Sequence, residues 1–449
     1  MFEVLTFKGG VHPPEGKELS EEKAIVRLEL PKLVIIPLSQ HIGAPAKPIV
    51  AVGDAVKTGQ KIAEASGNFS AAVHSSVTGK VTAIGKYPHP VVGTGDAVVI
   101  ERSGEDEWFA YPKHKNYSEL TKDQLLAIVT EMGIVGMGGA TFPTHIKLNP
   151  PEWKKADHLI INAAECEPYL TCDDRLMREY GEGVIEGLKI MMKITGAPKG
   201  VIGIEHNKPH AIEHMKKLCA NESAISVAVV KTKYPQGAEK QLIYAVTKRA
   251  VPNGGLPIDA GCIVQNVGTA YALFDAVVNG RPLVERAVTV SGESINTPSN
   301  FMVRIGDTYE NCINKAGGMI EDTAKIISGG PMMGFAQFTV ENLPVTKGTS
   351  GILAFPASMV KTDEELPCIS CAGCVDACPM KLIPTMLTSN VKVKNYEQVK
   401  KLNVLSCIEC GSCAFVCPAK IPLVQYIRVG KNELRKILAK ENHKEEGKK

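Results

Sequence analysis

The segment CISCAGCVDACP at residues 368–379 returns as CIECGSCAFVCP at 407–418. Each copy reads C-x2-C-x2-C-x3-C-P, so Cys368, Cys371, Cys374 and Cys378 are matched by Cys407, Cys410, Cys413 and Cys417. Three thiolates on one short loop fit a corner of an iron–sulfur cubane. In the two-run arrangement the fourth cysteine of each run serves the other cluster. The spacing predicts one [4Fe–4S] cluster on Cys368, Cys371, Cys374 and Cys417, and a second on Cys407, Cys410, Cys413 and Cys378. Structural zinc is the competing use, but it takes two short C-x2-C knuckles across a wide gap rather than three thiols on one loop. Pro379 and Pro418 turn the chain after the fourth ligand and have no amide to leave unpaired. Between the runs, Tyr396, Val399, Leu402 and Leu405 sit near helical spacing, which predicts a helix over 386–406 and an α-helical ferredoxin domain. A pair of clusters in one small module passes single electrons.

The rest of the chain must supply the other end of that path. At 449 residues it is too long for one core and implies two to four domains. A net charge of +3 and 5% aromatic residues leave neither the basic footprint nor the stacking surface of a nucleic-acid binder. The first residues lack the basic-then-apolar layout of a signal peptide. No run of 18 apolar residues is present; the nearest, at 124–142, is broken by Glu131 and by glycines and threonines. Clustered thiols without a secretory leader point to a reducing compartment and to metal rather than disulfides.

Two stretches carry chemistry-bearing residues. GIVGMGGATFPTHIKL, residues 133–148, follows a predicted helix whose start, Thr121 and Gln124, reads as a capping box. Its glycines let backbone approach a ligand and offer amides to anionic groups. They follow a helix, so the usual dinucleotide fingerprint, which needs a strand first, does not apply. DHLIINAAECEPYLTCDDR, residues 157–175, reads as a buried strand followed by a loop rich in acids: Glu165, Glu167, Asp173 and Asp174. Ligands of α/β sheets bind at that end of the strands, where acids can accept from ribose hydroxyls, although a solvated acidic loop has the same composition. Strands at 200–205, 224–230 and 262–267 alternate with helices at 174–195, 208–219 and 237–249, which predicts a mainly parallel, helix-covered sheet.

GMGGATFPTHIK, NAAECEP, YPQGAEKQL and QNVGTAYAL fall in order between residues 136 and 273. In that order they resemble the flavin-binding subunit of respiratory complex I and, more closely, the C subunit of Rnf-type electron-transport complexes. FKGGVHPPEGK at 7–17 and the doubled cysteine run extend the second resemblance over nearly the whole chain. The resemblance implies FMN against Gly138, Gly139 and Ala140, with Lys147 reaching the flavin. It implies Asn162 and Glu165 on the isoalloxazine or ribityl chain, and Gly237, Asn266 and Thr269 around the phosphate end. NADH would stack on the flavin with Phe142 against the adenine, and Glu167 and Glu239 would hold the nicotinamide half or its ribose. The chain departs from the complex I pattern at Met137, Thr141, Ala164 and Ala238; the last two remove acids from the pocket.

Around this core, the resemblance and the strand pattern together predict an α/β multidomain chain. Residues 1–112 form a lipoyl-like barrel-sandwich, whose carrier loop GNFSAAVHS has no lysine to modify. Residues 113–280 form a Rossmann-like FMN/NADH domain, 281–345 a β-grasp (SLBB-like) module, 346–432 the ferredoxin domain and 433–449 a charged tail. Cys166, Cys172, Cys219, Cys262 and Cys312 share no ligand spacing and read as buried thiols. The implied role is peripheral electron input to a membrane-bound, ion-translocating NAD:ferredoxin oxidoreductase on the cytoplasmic face of the membrane. It would exchange electrons between NAD(H), FMN and two [4Fe–4S] clusters, with Rnf-type membrane and peripheral subunits as partners and ferredoxin reached indirectly. A cobalamin reductase of a bacterial microcompartment shares the flavin and cluster motifs. A cluster-bearing wiring subunit without nucleotide chemistry is the reading from a different class.

Overall fold

The computed structural model describes residues 4–360 and 364–446. Helix α1, Lys122–Glu131, begins at the predicted capping box: Thr121 Oγ1 accepts from the Gln124 amide at 3.2 Å, and Gln124 Oε1 accepts from the Thr121 amide at 2.8 Å. A single-turn helix α2, Thr144–Lys147, follows the glycine loop. Then come α3 (Cys172–Thr195), α4 (Pro209–Leu218), α5 (Glu239–Thr247) and α6 (Val267–Asn279), interleaved with four strands. In sheet order these are Ile225–Val230, Lys199–Glu205, His158–Ala163 and Cys262–Asn266, all parallel. Both faces are covered, so the central strands read as apolar runs; Leu159, Ile160 and Ile161 are all fully buried. Helices α3 and α6 meet at backbone distance, where a Cβ on Gly187 would lie 1.9 Å from the Ala270 carbonyl oxygen.

Leu33–Pro37, Gly93–Arg102, Gly79–His89 and Ala55–Val56 make one sheet of the barrel-sandwich; Lys47–Pro48, Lys61–Glu64 and Val73–His74 make the other. They enclose Val34, Ile36, Ile62, Val73, Val98 and Ile100. The β-grasp sheet has six strands, in the order Ile25–Arg27, Ser299–Arg304, Glu285–Ser291, Gly351–Pro356, Thr323–Ser328 and Phe335–Gln337, with helix α7 (Tyr309–Lys315) against it. Two of its strands lie outside the stretch 281–345: Gly351–Pro356 pairs at its centre, and Ile25–Arg27 arrives from the N-terminus. Pairing over such separations has no local signature, so the pattern along the chain could not assign them.

The C-terminal region is helical: α8 (Gly373–Asp376), α9 (Pro384–Lys392), α10 (Tyr396–Lys401), α11 (Ser412–Phe415) and α12 (Leu423–Glu446). The single helix expected over 386–406 is broken. Lys394 takes φ 57°, and Asn395 caps a new helix by accepting from the Gln398 amide at 3.3 Å. An asparagine favours a cap over a helix interior because its side chain competes for backbone donors. Helix α12 runs without interruption through 432 into the predicted tail, and Leu434 is buried against the ferredoxin core. The last three residues of that tail lie outside the described ones.

One side chain joins three of these units. Lys347 is fully buried and donates from Nζ to the Ala72 carbonyl of the barrel-sandwich (2.8 Å) and to Gly133 just before the glycine loop (2.7 Å). Burial pushes its pKa from the usual 10.5 down to about 7, and a neutral amine still offers the two N–H groups that the two carbonyls need. Between pH 7 and 10.5 the unfolded chain therefore binds a proton that the folded chain does not, so folding stability rises with pH across that window, by at most about 1.4 kcal/mol per unit. Denaturant unfolding of the wild type and of Lys347→Met, measured side by side from pH 7 to 9.5, should show the stability gap widening as pH rises. Parallel curves would mean that Lys347 keeps its ordinary pKa.

Candidate functional site

In the strand order, the chain moves outward from His158–Ala163 on one side and returns to its other side with Cys262–Asn266. The switch point lies between these two, and their C-terminal residues Asn162 and Asn266 are register partners. Crevices at such points hold ligands in α/β proteins. Asn266 caps α6 through its Oδ1, which accepts from the Gly268 amide at 2.8 Å, and donates from Nδ2 to Asp173 at 2.6 Å. The glycine loop rests on this junction. Thr269 Oγ1 accepts from the Met137 amide at 2.9 Å, and a Cβ on Gly138 would meet the Asn266 side chain at 2.7 Å. Gly138, Gly139 and Ala140 are exposed, and Gly139 has φ 134° with nothing within 4 Å of where a Cβ would stand. The loop thus presents bare backbone to open space at the switch point, which fits an FMN held through backbone contacts. Thr141, where a glycine is usual in the complex I pattern, keeps a left-handed φ of 50°, an uncommon setting for a β-branched residue.

A second group forms beside it. Asn162 Nδ2 donates to the Gly237 carbonyl at 2.7 Å, and the Gly237 amide donates to Cys166 Sγ at 3.2 Å. Lys147 and Glu239 form a half-exposed ion pair at 2.6 Å, so these two predicted site residues meet each other. The other two acids are engaged elsewhere. Glu165, in a left-handed turn of φ 50°, places its carboxylate on the amides of Asp173 (2.6 Å) and Asp174 (3.3 Å) at the start of α3. Burial raises its pKa to about 8. Glu167 accepts from the Met332 and Met333 amides at 3.0 Å each, and burial raises it to about 7. Phe142 lies edge-on to Phe69 of the barrel-sandwich at 6.0 Å.

Sequence reasoning missed two buried lysines beneath the acidic loop. Lys17 Nζ donates to the carbonyls of Glu165 (2.9 Å), Glu167 (3.0 Å) and Leu170 (2.5 Å). Lys208 Nζ donates to the Ala164 carbonyl at 2.8 Å and pairs with Glu205 at 3.6 Å. The available signal was HPPEGK itself, in which a lysine follows a stiff Pro-Pro and a glycine. Its partners lie 148–153 residues downstream and leave no local mark.

The two cysteine runs have one backbone trace. Ser370, Ala372 and Lys381 have positive φ (55°, 60°, 55°), and so do Glu409, Gly411 and Lys420 thirty-nine positions on (58°, 78°, 55°). The second residue after each leading cysteine returns its amide to the sulfur: Ser370 to Cys368 at 3.4 Å, Glu409 to Cys407 at 3.3 Å. Amides turned inward by left-handed residues suit a bound anionic centre. Burial first, then the neighbouring Cys410, Cys407 and Cys378 sulfurs, push Cys413 up to about 12. Burial, with Cys417 and Cys371 among the neighbours, raises Cys374. So Cys378 sits among the cysteines of the second run, and Cys417 beside those of the first. Among the described residues, groups tight enough for a single ion occur at Asp157–His158–Cys262 and Glu165–Cys172–Asp173. Asp157 is already paired with Arg249 and Glu165 with α3.

Residues 5–105 match the RnfC barrel sandwich hybrid domain, 129–275 the Nuo51 FMN-binding domain, 287–336 the SLBB domain and 367–421 the 4Fe-4S dicluster domain. These matches bear out the four-part α/β organisation expected from sequence. The C subunit of the proton-translocating ferredoxin:NAD+ oxidoreductase complex of Clostridium ljungdahlii is 50% identical over 434 residues, covering 96% of this chain and 94% of that protein. Its counterpart in the Na+-translocating ferredoxin:NAD+ oxidoreductase complex of Acetobacterium woodii is 46% identical over 432 residues, covering 96% and 97%. The corresponding C subunit of the ion-translocating oxidoreductase complex of Rhodobacter capsulatus is 42% identical over 435 residues, covering 96% and 83%.

The Asn266 side chain both caps α6 and supports the glycine loop. Asn266→Ala should lower stability by about 1 kcal/mol through the lost cap alone. It should also loosen residues 137–139, read as faster proteolysis or amide exchange there. Unchanged thermal unfolding and exchange would remove this residue from the site.

Proposed function

Because the chain belongs to the family of C subunits of Rnf-type ion-translocating ferredoxin:NAD+ oxidoreductase complexes, we propose that it is the electron-input subunit of such a complex. It exchanges electrons between NAD(H), FMN and two [4Fe–4S] clusters. When bound, FMN takes two electrons as a hydride and gives them up singly, which joins a nicotinamide to one-electron centres. Gly138, Gly139 and Ala140 hold it through backbone at the switch point, Asn162, Asn266, Thr269 and Gly237 fix the surrounding loops, and Lys147 supplies positive charge. Glu239, tied to Lys147, and Glu167 border the space left for the nicotinamide, and Phe142 the space left for the adenine. The carboxylate of Glu165 braces α3 and acts on the site through its loop rather than by direct contact.

The observation that carries this reading is a packed seam between the flavin-binding domain and the second cysteine run. Val11, Tyr234, Ala377 and Cys410 form one buried cluster, with Cys166 and Met332 packed against it. The set Cys407, Cys410, Cys413 and Cys378 is therefore the one that faces the flavin domain. Cys368 and Cys371 of the other set are exposed beside Leu366 and Ile369, whose apolar side chains are also exposed. That set is the exit toward partner subunits and, through them, ferredoxin. Among the described residues no helix is long and apolar enough to cross a membrane. Two relatives of similar identity are named for different ions, proton and sodium. Both facts support ion movement in other subunits, with this one docked on them at the cytoplasmic face.

Anaerobic titration of the purified protein with NADH should bleach a bound flavin and then the clusters. Flavin that stays oxidised would leave the wiring role without nucleotide chemistry. Cys378→Ser, although it lies in the first run, should damage the cluster built on the second. The expected result is a change in the electron paramagnetic resonance signal of one cluster, with the other set intact. Loss confined to the cluster of Cys368, Cys371 and Cys374 would refute the crossed ligation.

A further inference from the structure

Residues 4–23 fall within the 5–105 match, but the bonds they make run to the flavin-binding, ferredoxin and β-grasp units. Leu5 bonds the edge strand Ile225–Val230, with its amide on the Val229 carbonyl at 3.0 Å and its carbonyl on the Lys231 amide at 2.9 Å. Val11 and Tyr234 exchange amide-to-carbonyl bonds of 2.7 and 2.8 Å. The Gly10 amide donates to the Ala377 carbonyl at 2.9 Å, and a Cβ on Gly9 would stand 2.9 Å from the Cys378 carbonyl oxygen. Eight positions after Gly9, Lys17 plugs into the 165–170 loop. Ser20 then bonds Thr171 at 2.8 Å and Asn300 of the β-grasp sheet at 2.9 Å.

We propose that this strap fixes the distance between the acidic 164–171 loop, beside the flavin site, and the Cys378 loop, with Lys17 as its positioning residue. Three carbonyls converge on one nitrogen, and only a charged ammonium has three N–H groups to give them. A glutamine has two and a methionine none. Bonds from a charged donor are roughly twice as strong as neutral ones. Between the two contacts the chain carries Pro13 and Pro14, each with φ locked, so the segment is a stiff spacer rather than a slack tether. At the far end, Gly9 and Gly10 have φ of 84° and 83°, and a side chain at either would push against backbone of the ferredoxin or flavin unit. The seam of Tyr234, Cys166 and Cys410 lies between the two anchors. A merely structural strap would stabilise the fold as a whole; a spacer makes each anchored loop respond when the other end is released.

This inference rests on the proposed electron path only in its kinetic arm. The primary test is hydrogen–deuterium exchange on the full-length protein. In Lys17→Gln, exchange should quicken about tenfold both at 164–171 and at 374–380, as expected when a strong local contact is lost. The Lys199–Glu205 strand should stay protected. Glu18→Gln, an exposed neighbour, should behave as wild type. A response at 164–171 with none at 374–380 would overturn the spacer. If Lys17→Gln does not fold, Gly9→Ala decides from the other end: faster exchange at 164–171 supports the spacer, and no change refutes it. In anaerobic stopped flow, Lys17→Gln should slow cluster bleaching relative to flavin bleaching by NADH; an unchanged ratio of the two rates would also overturn the proposal. A wild-type protein free of flavin would defeat the proposed function, and the exchange arms would still decide the strap.

Discussion

Backbone carbonyls left without partners at the C-terminal end of a parallel sheet are the constraint on which this architecture turns. The loop after His158–Ala163 is neither helix nor strand, yet much of it is buried, and buried carbonyls must be paired. Lys208 reaches Ala164 from the neighbouring loop, and Lys17 reaches Glu165, Glu167 and Leu170 from the N-terminus. Two ammonium groups thus substitute for the ladder that the loop lacks. Glu205 and Glu165 lie close to them: burial raises these carboxyls to about 7 and about 8, and the two lysines pull against that rise. Removing either ammonium would leave both orphaned acceptors and uncompensated acids, which is why cations and acids occur here together.

Local features of the chain were legible because local physics produces them. The Thr121–Gln124 box, the apolar strand at 158–163, the helix–strand alternation and the doubled cysteine run each follow from neighbours in sequence, and all four stand in the structure. The residues of the switch point were legible in kind: Gly138, Asn162, Asn266 and Thr269 do come together. Their bonding was not. Composition could not tell that Glu165 would turn back onto α3, that Glu167 would accept from amides near residue 332, or that Lys147 and Glu239 would pair with each other. Each depends on a fold-level approach over 8 to 165 residues. The same holds for Ile25–Arg27 and Gly351–Pro356, short strands whose partners belong to a distant stretch.

The halves of the ferredoxin unit show how one backbone trace can carry two environments. Position 372 is alanine and position 411 glycine, although both adopt left-handed φ. Ala372 is exposed. At Gly411 a Cβ would lie 3.0 Å from the Met332 carbonyl oxygen, so the buried half needs glycine where the exposed half does not. Ser370 has a plain hydroxyl where Glu409 is held by Arg428 at 2.9 Å and Lys431 at 2.5 Å, and Lys431 also donates to the Cys407 carbonyl at 2.8 Å. The second run is therefore enclosed, cross-braced and close to fixed positive charge, while the first is open to solvent at Cys368 and Cys371. Burial, hydrogen bonds to sulfur and nearby charge are the levers that separate the potentials of otherwise identical clusters. The two copies of the repeat therefore sit in different surroundings: the half against the flavin-binding domain is enclosed and the half that faces outward is accessible.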